Sequence, residues 1–491
     1  MSYKTRLLYC SKMLGRSGAV AGILLTAGCA VGPDFHRPDA PKVEHYTREP
    51  LSTTVAVAVP GGAAQQYNST VALPQEWWTL FGSPALDELV AQAFAHNPTI
   101  DSAKAVLRQA QENSAAQFGN YFPTLAGDYS ATRQREAVGT ISPTLASERP
   151  LFTLHTAQLS VSYMPDVFGL NRRTMESLSA QEEMQRFQLQ AAYLALASNV
   201  VSAAIQEAVL SAEISATENM IETSAHFLKV LNRQADLGFV SPLDVANQEV
   251  ALAQVQQTLP PLQKQLEQNR NLLAILTGRL PSEGGLERID LDTLQLPQAL
   301  PATIPSLLVQ HRPDVRAAEA QVHSASANVG VAVASRLPQF SISAIWGGTA
   351  TQFDKMFADS NKFWSIGGSL TQTIFDFNSL KHRQRAAEAE LKDAMAQYRM
   401  AVLVAFQNVA DAMYALDADA KSFAASVVAE TASKKALDLT RVQLDAGDVN
   451  ILALLTAQTS YQEARISRIQ ALGERYLDTT AFFLALGGTW E

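Results

Sequence analysis

The residue with the clearest chemical prospect in this 491-residue chain is Cys29, which ends the run "LLTAGC". Ahead of it lie a basic leader (Lys4, Arg6, Lys12, Arg16) and the apolar stretch "AVAGILLTAG" at 19–28. That stretch is too short for a bilayer span, which takes roughly 20 residues. It suits the core of a signal peptide over residues 1–28. "LLTAGC" matches a bacterial lipoprotein cleavage box, although Thr26 stands where Leu is usual. The expected chemistry is cleavage before Cys29 and acylation of the new N-terminal cysteine, palmitate included. Cys10 leaves with the leader, so neither a disulfide nor a free thiol remains. Ala30, in place of the Asp that retains lipoproteins at the inner membrane, favours delivery to the outer membrane.

No other constellation supports covalent or metal chemistry. The eight histidines are scattered, and the sequence has no HExxH, GxSxG, Walker or dinucleotide glycine motif. The chain is therefore read as a non-enzyme, with no catalytic residue, no metal site and no cofactor beyond the lipid on Cys29. A net charge of −9 argues against a nucleic-acid partner, which leaves a basic footprint. Charged residues are only 17%, against roughly 25% in soluble domains.

His96 and His311 are read as structural, because they open two copies of one pattern. "HNPTIDSAKAV" from His96 is echoed by "HRPDVRAAEAQ" from His311, and each meets a second proline at the same distance, Pro123 and Pro338. "FGLNRR" from Phe168 matches "FDFNSL" from Phe375, "NVVSAA" from Asn199 matches "NVADAM" from Asn408, and "LGFVSPLDV" from Leu237 matches "AGDVNILAL" from Ala446. Two tandem repeats follow, 73–280 and 303–491, with a tether at 29–72 and a Pro-rich connector at 281–302.

Each repeat alternates two kinds of pattern. Leu159, Val161 and Tyr163 alternate with Gln158, Ser160 and Ser162, which predicts a strand at about 156–165. Phe340, Ile342, Ala344 and Trp346 mark another at 338–347, and Trp364, Ile366 and Leu370 a third at 363–373. A fourth, at 121–132, turns Leu125 and Tyr129 outward, and polar loops fill 133–155 and 348–362. Long helices without proline then run over 168–236 and 379–445, on the order of 100 Å each. Leu391, Met395, Tyr398, Val402, Ala405, Val409, Ala412 and Leu416 form a coiled-coil seam, as do Met184, Phe187, Ala191, Leu194, Ser198, Val201 and Ile205.

Four such strands suit a membrane barrel but cannot close one, and an open edge in lipid costs several kcal/mol per unpaired group, about the cost of a buried polar atom without a partner. Several chains must share the barrel. Three give twelve strands and a lumen lined by the polar positions. The helices carry Arg, Lys and Glu throughout, so they must extend into the periplasm. The fold class is an α+β membrane protein: a long α-helical, coiled-coil-like barrel joined to a 12-stranded β-barrel, four strands per chain.

The chain resembles the TolC family of outer-membrane efflux channels, in its NodT-like lipoprotein branch. The resemblance rests on "LPQEWWTLFGSPALDELV" from Leu73, "HRPDVRAAEAQV" from His311, "LTGRLP" from Leu276 and the two segments at Gly238 and Gly447, in the family's order. It implies a homotrimer acting as the passive exit duct of a tripartite pump, with a periplasmic adaptor and an inner-membrane transporter, read as proton-driven. It also implies that "GFVS" (Gly238, Phe239, Val240, Ser241) and "GDVN" (Gly447, Asp448, Val449, Asn450) meet the adaptor; tight turns between helices would explain part of their composition. The Asp rings of the family's periplasmic gate fall here on Ala453 and Thr456, while Asp244 remains at the matching first-repeat position. Trp77 and Trp78 are expected to pack in the periplasmic body. A type I protein-secretion duct shares this architecture, and a periplasmic coiled-coil lipoprotein is the reading of different class.

Overall fold

The computed structural model describes residues 30–68, 71, 73–135, 151–284, 288–301 and 305–488. The signal peptide, Cys29 and residues 136–150 lie outside the described residues. The chain divides into two compact units. The first comprises residues up to Arg37, Leu107–Met184 and Glu319–Gln397; the second comprises Pro38–Val106, Gln185–Ala318 and Tyr398–Glu491. These units cut across the tandem repeats, each drawing on both.

The first unit holds a sheet of four antiparallel strands: β2 (Thr124–Arg135), β3 (Leu151–Tyr163), β5 (Gln339–Ala350) and β6 (Lys362–Thr371), in the order β2-β3-β5-β6. The strands reach further into the expected loops than the alternation predicts. Polar residues continue the ladder there, Arg135 opposite Leu151 and Gly348 opposite Lys362. In the second unit the short β1 (Gln66–Asn68) pairs in parallel with β4 (Ala299–Pro301).

Eight α-helices occur among the described residues. Pro84–His96 (α1) and Pro98–Phe118 (α2) open the first repeat; Pro305–His311 (α5) and Pro313–Ala334 (α6) open the second. Proline suits the first helical position, where its missing N–H is not needed. The long helices are α3 (Leu170–Asp236, 67 residues) and α7 (Ser379–Ala446, 68 residues), each followed by a return helix, α4 (Pro242–Leu276) and α8 (Ile451–Leu486). Their seam residues are buried from Leu194 to Ile205 and from Tyr398 to Leu416, whereas Met395, in the first unit, is 41% exposed. An apolar window in α3 has the composition of a membrane span but is 72% buried within the chain, as befits a core helix.

Trp77 and Trp78 are buried in the second unit, in an aromatic cluster with Phe81, Phe94 and Phe483. Residues 30–68 depart from the expected tether, because single arginines fasten them. In the first unit the buried Arg173 pairs with Asp34 (2.7 Å) and donates to the carbonyls of Val31 and Gly32, while Phe35 stacks on His323. In the second unit the buried Arg475 donates to the carbonyls of Gly61 and Ala63. Sequence patterns do not reveal such fastenings, because each rests on one residue far away in the chain.

Candidate functional site

The sheet has two chemically distinct faces. Its register aligns Leu125 with Val161, Val161 with Ala344, and Ala344 with Ile366; Leu159, Trp346 and Trp364 make a second row. Because side chains alternate with a period of two, one face carries Leu125, Tyr129, Leu159, Val161, Ile342, Trp346, Trp364, Ile366 and Leu370. All are exposed, Ile366 to 74%. The opposite face carries Asp128, Ser160, Thr156, Thr349, Ser341 and Ser369. Its hydroxyls bond across strands, Thr156 to Thr349 at 3.0 Å and Ser341 to Ser369 at 2.7 Å. The outer edges of β2 and β6 have no strand beside them among the described residues.

The two helix–helix turns lie in the second unit. At the first, Gly238 takes φ +77°, and the amides of Gly238 and Phe239 donate back to the carbonyls of Ala235 and Gln234. Gly447 repeats the turn with φ +81°, the amides of Gly447 and Asp448 reaching Leu444 and Gln443. Glycine is suited to this left-handed closure of a helix. Ser241 and Asn450 then cap the return helices, accepting from the amides of Asp244 (3.2 Å) and Ala453 (3.1 Å). Asp244 closes a reciprocal capping box, accepting from the Ser241 amide (3.1 Å) and hydroxyl (2.8 Å). Thr456 donates its hydroxyl to the Leu452 carbonyl.

The turns share one apolar cluster, Leu231, Leu437, Ile451 and Leu454, against which Val240 packs. Val449 is half-buried, and Phe239 is 77% exposed. So the predicted tip residues are brought together, but in different roles: Val240 supports the tip, and Phe239 is presented to solvent.

The His-x-Pro echo has its structural meaning in the middle residue, which the repeat pattern does not single out. Asn97 donates to the carbonyl of Leu276 at the end of α4 (2.8 Å), and Arg312 to that of Ala485 near the end of α8 (2.8 Å). Each repeat thus uses its opening hinge to satisfy carbonyls left unpaired where its closing helix ends. A Cβ at Gly278 would fall 2.3 Å from the His96 carbonyl oxygen, which accounts for the glycine of "LTGRLP". The His96 ring lies 3.1 Å from the Gln92 carbonyl, and His311 is exposed.

One half-buried acidic pair stands out in the second unit. Burial, a hydrogen bond donated to Asp478, and the charges of Asp478 and Glu474 push the Asp419 carboxyl up to about 7, with Arg475 opposing. Among the described residues no group of histidine, cysteine or carboxylate side chains is arranged to hold a metal ion.

A sheet apolar on one face and open at both edges, joined to helices of nearly seventy residues, has the architecture of an outer-membrane channel subunit. The chain belongs to the outer membrane efflux protein family, whose model matches residues 89–279 and 304–488. It is 27% identical over 446 residues to the pyoverdine export outer membrane protein OpmQ of Pseudomonas putida, covering 90% of this chain and 94% of that one. It is 26% identical over 474 residues to the toluene efflux pump outer membrane protein TtgI, also of Pseudomonas putida, covering 96% and 97%. Among solved structures it matches the outer-membrane channel OprN with a TM-score of 0.83 and 28% identity, over 94% of this chain and all of that one. The open-state MtrE channel of Neisseria gonorrhoeae shares the fold, with a TM-score of 0.79 at 23% identity over 94% and 98% of the two chains. The chain is an outer-membrane protein, and these relatives are named as export or efflux proteins and as outer-membrane channels.

Proposed function

We propose that three copies of this chain close a 12-stranded barrel in the outer membrane and serve as the passive conduit of a tripartite efflux pump for small toxic compounds. The carrying observation is the open sheet: one face of exposed apolar side chains and two edges with no strand beside them among the described residues. Lipid suits the face but not the edges, where each buried unpaired group costs several kcal/mol, on the order of the penalty for an unsatisfied polar atom in hydrocarbon. Strands of neighbouring copies satisfy both edges at once. The polar face, with Asp128, Ser160 and Ser341, then lines the lumen. The relatives named for pyoverdine and toluene export support small molecules as cargo. Drive and most of the selectivity belong to an inner-membrane transporter, engaged through an adaptor that meets the exposed turn residues Phe239 and Asp448.

The gate differs from an acidic ring. Ala453 and Thr456 bring no charge, and the carboxylate of Asp244 is engaged by Ser241. Reconstituted in planar bilayers, the protein should conduct with weak block by multivalent cations added on the periplasmic side; strong block there contradicts this reading. Cys29 carries a lipid that tethers the chain in addition to the barrel. Labelled palmitate should enter the wild type and not Cys29→Ser, which should lower yield more than it changes conductance; equal labelling of the two removes the lipid from the account.

A further inference from the structure

The tandem repeat supplies a template inside each chain for the joint between chains. Within the chain, the second hairpin strand of repeat one, β3, pairs with the first strand of repeat two, β5. When copies close a ring, β6 stands to β2 of the next copy as β3 stands to β5. Aligning Phe168 with Phe375 and Pro123 with Pro338 carries the pairs Tyr163–Ile342, Val161–Ala344 and Leu159–Trp346 onto β6 and β2.

We infer that β6 pairs with β2 of a second copy in this register: Leu370 opposite Gly127, Gly368 opposite Tyr129, Ile366 opposite Ala131 and Trp364 opposite Arg133. The inference rests on the trimer reading and specifies its seam.

Three independent features agree with the register. First, every pair lies on the apolar face, although an odd slip would turn one partner inward. Second, the side chains are complementary. On the apolar face each seam glycine, Gly127 and Gly368, faces a large residue, and the Trp364 ring faces a guanidinium, a favourable cation–π geometry. At the far rim Lys362 meets Arg135; both are long, solvent-exposed and screened by salt. Third, the stagger closes a barrel. Thr124, Ser162, Ser343 and Gly367 share one row, which the register carries to Ser130 of the next copy. From Thr124 to Ser130 is six residues over four strands, about 5 Å per strand against roughly 4.8 Å between strands. The tilt is about 45°, within the range of membrane barrels.

The segment after β6 extends the same logic. Inside the chain Phe168 packs on Phe340, ring centroids 6.4 Å apart, and Leu170 is half-buried. Their counterparts are open: Phe375 is 74% exposed and Phe377 83%, the latter held in a left-handed conformation (φ 52°) that bulky residues disfavour. The position matching Phe340 in repeat one is Leu125, itself 66% exposed. Phe375 therefore seats against Leu125 of the next copy.

Cysteine pairs in the full-length protein test the register in outer-membrane preparations treated with copper phenanthroline, with wild type as the blank. Ser369→Cys with Asp128→Cys, and Gly367→Cys with Ser130→Cys, should each give covalent trimers at least tenfold more abundantly than the slipped pairs Ser369→Cys with Ala126→Cys or with Ser130→Cys. Preferred cross-linking of a slipped pair, or none from any pair in a protein that still runs as a trimer, overturns the register while leaving the trimer intact. A single-chain mass for the unmodified protein would instead fell the trimer reading. For the aromatic contact, Phe375→Ala and Leu125→Ala should each lower the temperature at which the trimer dissociates in SDS, and the double variant should fall no further than the worse single. Additive shifts, or quenching of Phe375→Trp by brominated lipid as strong as that of Trp364, place the ring in the bilayer and overturn the contact.

Discussion

At the residue scale, the chain keeps a few polar groups where they are expensive and uses each to hold something. Arg475 is 1% exposed, bonds two carbonyls of the N-terminal segment and lies over the ring of Phe423 at 5.6 Å. Near it the Asp419 carboxyl, on α7, is raised by burial and by the neighbouring charge of Asp478 on α8. The sign of their effect follows from linkage. The Asp419 carboxyl titrates near 3.8 when unfolded and at about 7 when folded, so the native state holds an extra proton between those values. Stability contributed by this pair is therefore greatest at low pH and is lost as pH rises through about 7. Because the pair is partly solvated, the effect is discounted to on the order of 1–2 kcal/mol. Asp419→Asn should raise the melting temperature at pH 8 relative to wild type and by clearly less at pH 4, near the foot of that window; an equal shift at both values would mean the carboxyl titrates independently of folding.

At the element scale, much of the architecture is legible in the sequence because it is periodic. Strict alternation places Trp364, Ile366 and Leu370 on one face, and the structure exposes all three. The three-four spacing from Tyr398 to Leu416 marks a seam that is buried throughout. What stays illegible has no period. Asn97 and Arg312 do the same work with different side chains, so the repeat shows only in the His and Pro flanking them. The strand ends are hidden because Thr, Arg and Lys extend a ladder without extending its apolar pattern. The tips are legible from their glycines, but not the division of labour within them. Phe239 stands 77% exposed on a turn whose backbone bonds are already satisfied. Phe239→Asp should leave trimer level and melting temperature unchanged and reduce efflux at least tenfold in a susceptibility assay, whereas Val240→Asp should also lower the level by disturbing the Leu231–Ile451 cluster. Full efflux with Phe239→Asp would remove the tip from adaptor docking.

At the scale of the whole molecule, one chain is an incomplete object. It has an apolar face that water disfavours, two strand edges that lipid disfavours, and a duplicated plan in which the second copy ends where the first begins. Edges of this kind template further pairing unless they are covered, and a ring of identical copies covers them without leaving one over. The internal repeat explains how four strands per chain can be enough. Each chain already contains one joint, β3 with β5, of the type proposed between chains. The most direct test is the mass of the protein released from outer membranes in mild detergent, measured by native mass spectrometry. The account predicts three chains and no stable single chain; a monodisperse single chain that stays soluble after the detergent is removed would contradict it.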